Sequence, residues 1–352
     1  MLPVLILMAA VWGLGWLIGL PTRLRLTGVA LIWAGVVLVQ LVLPAGHPLR
    51  LATGGQAEPW AVLGGVAALV IGYRALLQRL RVRAKPTAVP AAPPTPGPFS
   101  PAELDRYARH ILLREIGGPG QRRMKDATVL VVGAGGLGSP ALLYLAAAGV
   151  GTIHVVDDDV VDASNLQRQI IHSGDRIGQP KVVSAAEAMR ALNPHVTVVP
   201  HRRRLDATAA AELFPACDLI LDGSDNFDTR YAVNAAAVAA GKPLIAAALT
   251  QWEGQIALYD PACGTPCYAC VFPDRPAPGM VPTCAEVGVA APLPGILGSM
   301  MAMEAVKHLT GAGETLAGRM MIYDGLYAEA RVIRTTRNPD CPVCGQLHGG
   351  KT

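Results

Sequence analysis

The chain has 352 residues, 51% of them hydrophobic and only 16% charged, with a mean hydropathy of +0.36. That balance excludes a mainly disordered chain, and a net charge of +4 with 5% aromatic residues excludes a basic, aromatic-lined nucleic-acid surface. Seven cysteines are too few for a disulfide-stapled scaffold, and the length suits about two or three domains.

The apolar excess lies at the N-terminus. Residues 2–20 and 26–43 carry no charge, and residues 59–73 form a third apolar run that continues to Leu77 past Arg74. A spanning helix needs about 20 apolar residues. The first two runs supply them, and the third does so if Arg74 snorkels to the interface. No basic segment precedes the first run and no clear small-residue cleavage site follows it, which argues against a signal peptide. About three transmembrane helices are therefore expected within a membrane anchor of residues 1–83. Arg23 and Arg25 follow the first run, and Arg74, Arg79, Arg81, Arg83 and Lys85 close the third. Only His47, Arg50 and Glu58 lie between the second and third. The positive-inside rule then puts the N-terminus outside and everything after the third span in the cytoplasm. The expectation is a multi-pass protein of the inner membrane. Residues 84–99 are rich in proline and read as an extended linker, leaving residues 100–352 as a soluble domain.

That domain opens on Ser100-Pro101-Ala102-Glu103, the spacing of a capping box with proline at the first helical position. A helix is expected through Tyr107, Arg109 and Leu112 to Gly117. Residues 127–132 read as a buried strand that runs into Gly133-Ala134-Gly135-Gly136-Leu137-Gly138, and a helix over 139–148 follows. Further strands are expected at 152–156, 196–199, 218–221 and 244–247, alternating with helices at 181–192, 207–214 and 229–240. Such alternation predicts an α/β, Rossmann-like doubly wound sheet.

The glycine loop has the G-x-G-x-x-G form, in which backbone N–H groups approach a phosphate at a helix N-terminus. Alone it does not separate NAD from ATP. It is not a Walker A loop, since no Gly-Lys-Ser/Thr follows. The segments after it discriminate. Asp157, Asp159, Asn165 and Arg168 follow the second strand, then come Lys181 and, after another strand, Asp225-Asn226. A dinucleotide needs one carboxylate for its ribose. A triphosphate needs cations such as Arg168 and Lys181, and a carboxylate such as Asp225 that can hold Mg²⁺.

Cys267-x-x-Cys270 and Cys341-x-x-Cys344 are two chelating pairs, and four thiolates form a closed tetrahedral zinc site. Two disulfides would conflict with a cytoplasmic domain. A closed site gives Zn²⁺ a structural role, stapling the C-terminus back onto the sheet. Cys217 precedes a strand and reads as core, Cys263 as loop, and Cys284 lies in a Pro/Gly-rich loop expected over residues 273–295.

Taken in order, V-G-A-G-G-L-G, D-x-D-x-V-x-x-S-N-L-Q-R-Q, G-Q-P-K, S-D-N, E-G-Q-I, P-C-Y-A-C, T-C-A-E-V-G-V and N-P-D-C-P-V-C-G resemble the MoeB/ThiF/HesA family, bacterial relatives of ubiquitin-activating enzymes. The resemblance covers about residues 103–346 and is nearest to the molybdopterin-synthase adenylyltransferase branch. It implies adenylylation, by Mg-ATP, of the C-terminal glycine of a small β-grasp sulfur-carrier protein ending in Gly-Gly. Gly135, Gly136 and Gly138 would line the nucleotide, Asp157 would hold the ribose hydroxyls, and Asp159 would lie at the reaction centre. Asn165, Arg168 and Lys181 would contact phosphates, with Asp225 on Mg²⁺ and Asn226 beside it. Arg109 would reach the neighbouring subunit's ATP, which implies a homodimer. Cys284 matches a cysteine that in some relatives links covalently to the carrier. Some relatives carry a sulfurtransferase domain. Here eight residues follow Cys344, so a separate sulfur donor is expected. The membrane anchor departs from most relatives. An NAD-linked oxidoreductase and an ATP-binding regulatory module are the competing readings.

Overall fold

The structure, a computed structural model, describes residues 1–83, 97–277, 280 and 284–348. Most of the expected linker, residues 84–96, lies outside them. The chain divides into two compact units, Met1–Thr95 and Pro96–Thr352.

The first unit holds α1 (Leu2–Leu17), α2 (Thr22–Val42), the short α3 (Pro48–Ala52) and α4 (Glu58–Arg83). Its small core gathers Met8, Val36 and the fully buried Trp60. Two buried side chains donate across the turns. Trp60 Nε1 donates to the Thr53 carbonyl at 2.9 Å, and Gln40 Nε2 donates to the Arg50 carbonyl at 3.0 Å and to Thr53 Oγ1 at 2.7 Å. Of the three apolar runs, two give helices long and apolar enough to cross a membrane, Thr22–Val42 and Glu58–Leu77. In them only 11% and 6% of the apolar stretch is buried, so the side chains face outward, unlike a soluble core helix. At 16 residues α1 is shorter than a span.

The second unit begins with α5 (Pro101–Ile111) and α6 (Gly117–Asp126). The single helix expected to reach Gly117 is thus two. Gly117 takes φ of 60°, a left-handed turn that opens α6 in a new direction. The alternation that follows is β1 (Thr128–Val132), α7 (Gly138–Ala148), β2 (Thr152–Val156), α8 (Lys181–Leu192), β3 (Thr197–His201), α9 (Ala207–Leu213), β4 (Leu219–Asp222), α10 (Phe227–Ala240) and β5 (Leu244–Leu249). Then come β6 (Glu253–Tyr259), α11 (Tyr268–Val271), α12 (Cys284–Val287), α13 (Pro292–Thr310), β7 (Arg319–Asp324) and β8 (Glu329–Arg334). The expected loop over 273–295 therefore contains α12 and the first turn of α13, whose Pro292 suits a helix start.

One eight-stranded sheet runs in the order β3-β2-β1-β4-β5-β6-β7-β8. The first five strands are parallel and the last three are added antiparallel. Strand side chains alternate between faces, and the two cores follow that alternation. Val129, Val131, Ile153 and Leu221 pack with α7, α8 and α13, while Leu130, Val132, Ile220 and Leu244 pack with α9 and α10. Because β1 lies between β2 and β4, the order reverses there, and the carboxyl ends of these strands bound the crevice where such sheets bind ligands.

Candidate functional site

Register builds the crevice. Val132 pairs with Val156 on one side and Asp222 on the other, so Gly133, Asp157 and Gly223 leave the sheet at one level. Gly133 adopts φ of 90°, a Cβ there would press on the Gly223 backbone, and a Cβ on Gly138 would run into the Gly133 carbonyl. Gly135 and Gly136 line the resulting cleft. Gly138, expected to line it with them, is buried at the closed turn and is not among the residues that line the cavity. His172 anchors the loop from beneath. Its Nε2 lies 2.9 Å from the Ala134 carbonyl and its Nδ1 2.9 Å from Ser184 Oγ. Burial pulls the His172 pKa down, so the ring is neutral at pH 7, donating to the carbonyl and accepting from the hydroxyl.

Asp157 sits at the end of β2 with both carboxylate oxygens fixed by backbone donors: Ala134 N–H to Oδ2 and Asp159 N–H to Oδ1, each 2.8 Å. Burial raises its pKa, against those donors and the Lys181 charge. Each oxygen keeps a lone pair for a further hydroxyl donor. Lys181, the first residue of α8, is buried and pairs with Asp159 at 2.7 Å; its own N–H donates to the Asp159 carbonyl at 3.0 Å. Arg168 Nη2 donates to Asn165 Oδ1 at 2.8 Å, which holds the guanidinium at the cleft wall. Asp225 stands exposed after β4, and the Asn226 side chain caps α10 by accepting from Thr229 N–H at 2.9 Å.

Apart from Gly138, Arg109 and Cys284, the expected nucleotide residues converge on this one cavity of about 930 Å³. Arg109 is exposed on α5 and does not line the cavity of its own chain. Cys284 opens α12, and its side chain lies outside the described residues. Sequence reasoning missed the support. Arg230, buried on α10, donates to the Ala247 carbonyl at 2.7 Å and to the Ser224 carbonyl, tying the loop after β4 to β5. Arg203 and Arg204, just past β3, also line the cavity, and Tyr268 and Phe272 give it an apolar wall. The run of three arginines at 202–204 was a visible signal for the former; the wall had none. Three adjacent carboxylates, Asp157, Asp158 and Asp159, come within 4.8 Å of one another. The third is already paired with Lys181, so this is no free cation cluster. Asp225 suits Mg²⁺, which takes one or two carboxylates and completes its shell with phosphates and water.

The four cysteines gather at one place. Their Sγ atoms are 3.8 Å apart for Cys267–Cys270, 3.6 Å for Cys267–Cys341 and 3.3 Å for Cys270–Cys344. Four sulfurs at about 2.3 Å from a tetrahedral Zn²⁺ would be about 3.8 Å apart, so the donor set and spacing fit zinc. Burial pushes the Cys267 thiol far up, and a bound cation would favour its thiolate. Cys217 is buried core, its thiol pushed up to about 11 by burial, and Cys263 is exposed.

Comparison with known proteins agrees with this geometry. The ThiF family profile matches residues 107–343. The chain is 50% identical to the sulfur carrier protein adenylyltransferase of Thermus thermophilus over 69% of this chain and 91% of that protein. It is 48% identical to the SAMP-activating enzyme E1 of Haloferax volcanii over 69% of this chain and 90% of the other. Among solved structures, E. coli MccB with MccA-N7isoAsn superposes with a TM-score of 0.61 at 24% identity, over 68% of this chain and 74% of that one, a likeness of fold.

Proposed function

The chain belongs to the ThiF family and is an enzyme of the adenylyltransferase class, and from that premise we propose that it activates the C-terminal carboxylate of a small sulfur-carrier protein with ATP. The carrier's carboxylate attacks the α-phosphorus, the bond to the bridging oxygen breaks, and pyrophosphate leaves, giving a carrier acyl-adenylate. The nucleophile is ionised at pH 7, so the reaction needs charge neutralisation and alignment rather than a strong base. This accounts for a site built of Arg, Lys and backbone N–H groups in which the anchoring histidine, His172, is engaged on both nitrogens.

Asp157, with both oxygens oriented, takes the ribose hydroxyls. The glycine loop, Asn165, Arg168 and Lys181 take the phosphates, and Lys181 exchanges Asp159 for phosphate oxygens as the nucleotide enters. Asp225, beside Asn226, would hold Mg²⁺, which would supply charge neutralisation for the triphosphate. A cavity of about 930 Å³ is at the upper end of small-molecule sites of roughly 300–1,000 Å³, which leaves room for a carrier tail ending in Gly-Gly beside ATP. Arg109, exposed on α5, serves the nucleotide of a second copy in a homodimer. Cys284 is a candidate for covalent linkage to the carrier, and the sulfur comes from a separate donor protein. The carrier is of the molybdopterin-synthase small-subunit type, with the thiamine-pathway carrier the alternative. The helices of the first unit tether the enzyme to the inner membrane with its site in the cytoplasm.

The observation that carries the reading is the convergence of Asp157, Arg168, Lys181 and Asp225 on a single cleft. An NAD site would not require the last three. ATP–pyrophosphate exchange tests it. Exchange that depends on a Gly-Gly-ended carrier is expected; nicotinamide binding without exchange would contradict it.

A further inference from the structure

The cysteine centre and the apolar wall of the cleft share one short helix. Cys267 precedes α11 and Cys270 lies within it. Tyr268, between them, stacks edge-on against Tyr231 and Tyr259 at 5.2 and 5.8 Å between ring centroids and lies 4.8 Å from Phe272. The Phe272 carbonyl in turn accepts from Tyr231 Oη at 2.8 Å.

One side chain grips this helix from outside. Asn234, on α10 and 1% exposed, accepts the Tyr268 N–H on Oδ1 at 2.9 Å and donates from Nδ2 to Cys267 Sγ at 3.8 Å. The amide orientation is fixed by chemistry, because the Tyr268 N–H can only donate and so must meet oxygen. The nitrogen is then left facing sulfur. An N–H donor stabilises a metal thiolate, and a hydrogen bond of this kind beyond the ligands also fixes the direction of the sulfur. The same helix α10 begins beside Asp225, so one rigid element joins the metal-binding carboxylate of the cleft to the cysteine centre.

We propose that Asn234 is a positioning residue that locks Cys267 and Tyr268 into one unit, so that the metal held by the four cysteines fixes the Tyr268–Phe272 wall of the nucleotide cleft. The proposal rests on the four cysteines being a metal centre and is independent of which carrier is used.

Asn234→Asp, assayed above the pH at which its carboxyl ionises, separates the two bonds, since the carboxylate still accepts the Tyr268 N–H but no longer donates to sulfur. In the full chain loaded with zinc, this variant should release zinc to a chelator about tenfold faster or more. Hydrogen exchange at residues 268–272 should rise while exchange in β1 stays unchanged. Cobalt(II) in place of zinc should show its sulfur-to-metal absorption shifted to longer wavelength. In the unaltered chain, stripping the metal should raise exchange at residues 268–272 ahead of β1, a measurement that does not depend on the variant folding. Parental zinc release and exchange in Asn234→Asp would overturn the proposal. So would metal stripping that loosens β1 and residues 268–272 equally, or a chain that takes up neither zinc nor cobalt. ATP–pyrophosphate exchange in the same preparation reports separately on the adenylylation reading.

Discussion

At the scale of single residues, charge placement decides the chemistry. Asp225 lacks the backbone clamp that fixes Asp157 and stands exposed at the cleft, available for a cation. Asp225→Ala should therefore reduce pyrophosphate exchange by at least about a hundredfold, about 2.7 kcal/mol in the barrier, with thermal unfolding unchanged. Activity within about threefold of the parent would remove Asp225 from the metal role. The residues legible in the sequence are charged ones in the segments that follow a strand: Asp157, Arg168, Lys181 and Asp225. Those that were not legible act through the backbone. His172 reaches a carbonyl 38 positions away in sequence and Arg230 one 17 away, contacts that only the folded chain creates. Gly138 needs to be glycine for a reason the motif alone does not reveal: a Cβ there would run into the Gly133 carbonyl.

Among the elements, α5 carries the clearest local signal and a pH-dependent one. Its capping box is complete: Ser100 Oγ accepts from Glu103 N–H at 3.3 Å, and Glu103 Oε2 accepts from Ser100 N–H at 2.8 Å. Lys125 of α6 adds an ion pair at 2.6 Å. Burial alone would raise the Glu103 pKa, but the Lys125 ammonium and the Ser100 donors hold it at about 2. A depressed carboxylate contributes stability above its unfolded pKa and loses it as pH falls through the folded value. Glu103→Gln should thus cost about 1–2 kcal/mol at pH 7, with the deficit shrinking between about pH 4.5 and 2. Denaturant titrations of both proteins across that range measure it, and a deficit that does not change with pH would refute the ion-pair account. The strands β6, β7 and β8 and helix α13 were not legible. All six residues of β8 are exposed, so no buried stripe marks it, and α13 is apolar on several sides because it packs on both α7 and the sheet. The cysteine pairs were legible because chelate spacing is local. Cys341→Ser, or a chelator, should lower the unfolding temperature of the protein by about 10 °C rather than selectively stop chemistry. Metal analysis finding no zinc in the purified protein would contradict this.

For the molecule as a whole, the sequence divides into an apolar and a more polar part, and the fold gives each part its own core. Every residue assigned to ATP, Mg²⁺ or zinc lies in the second part, from Arg109 to Cys344. The cap at Ser100 lets the chain be cut there without exposing a broken helix end. A protein beginning at Ser100 should be soluble, dimeric and active in pyrophosphate exchange. Inactive aggregate from it, beside an active full-length protein in detergent, would show that the first unit helps build the site or the dimer. The central claim is transfer of AMP to a carrier's C-terminus, and it is tested most directly by intact-mass measurement of a Gly-Gly-ended carrier incubated with the protein, ATP, Mg²⁺ and pyrophosphatase. The account predicts a carrier heavier by one adenylyl group, lost when the terminal glycine is removed or Asp225 is replaced by alanine. A carrier of unchanged mass, with ATP bound but not consumed across the candidate carriers, would contradict it.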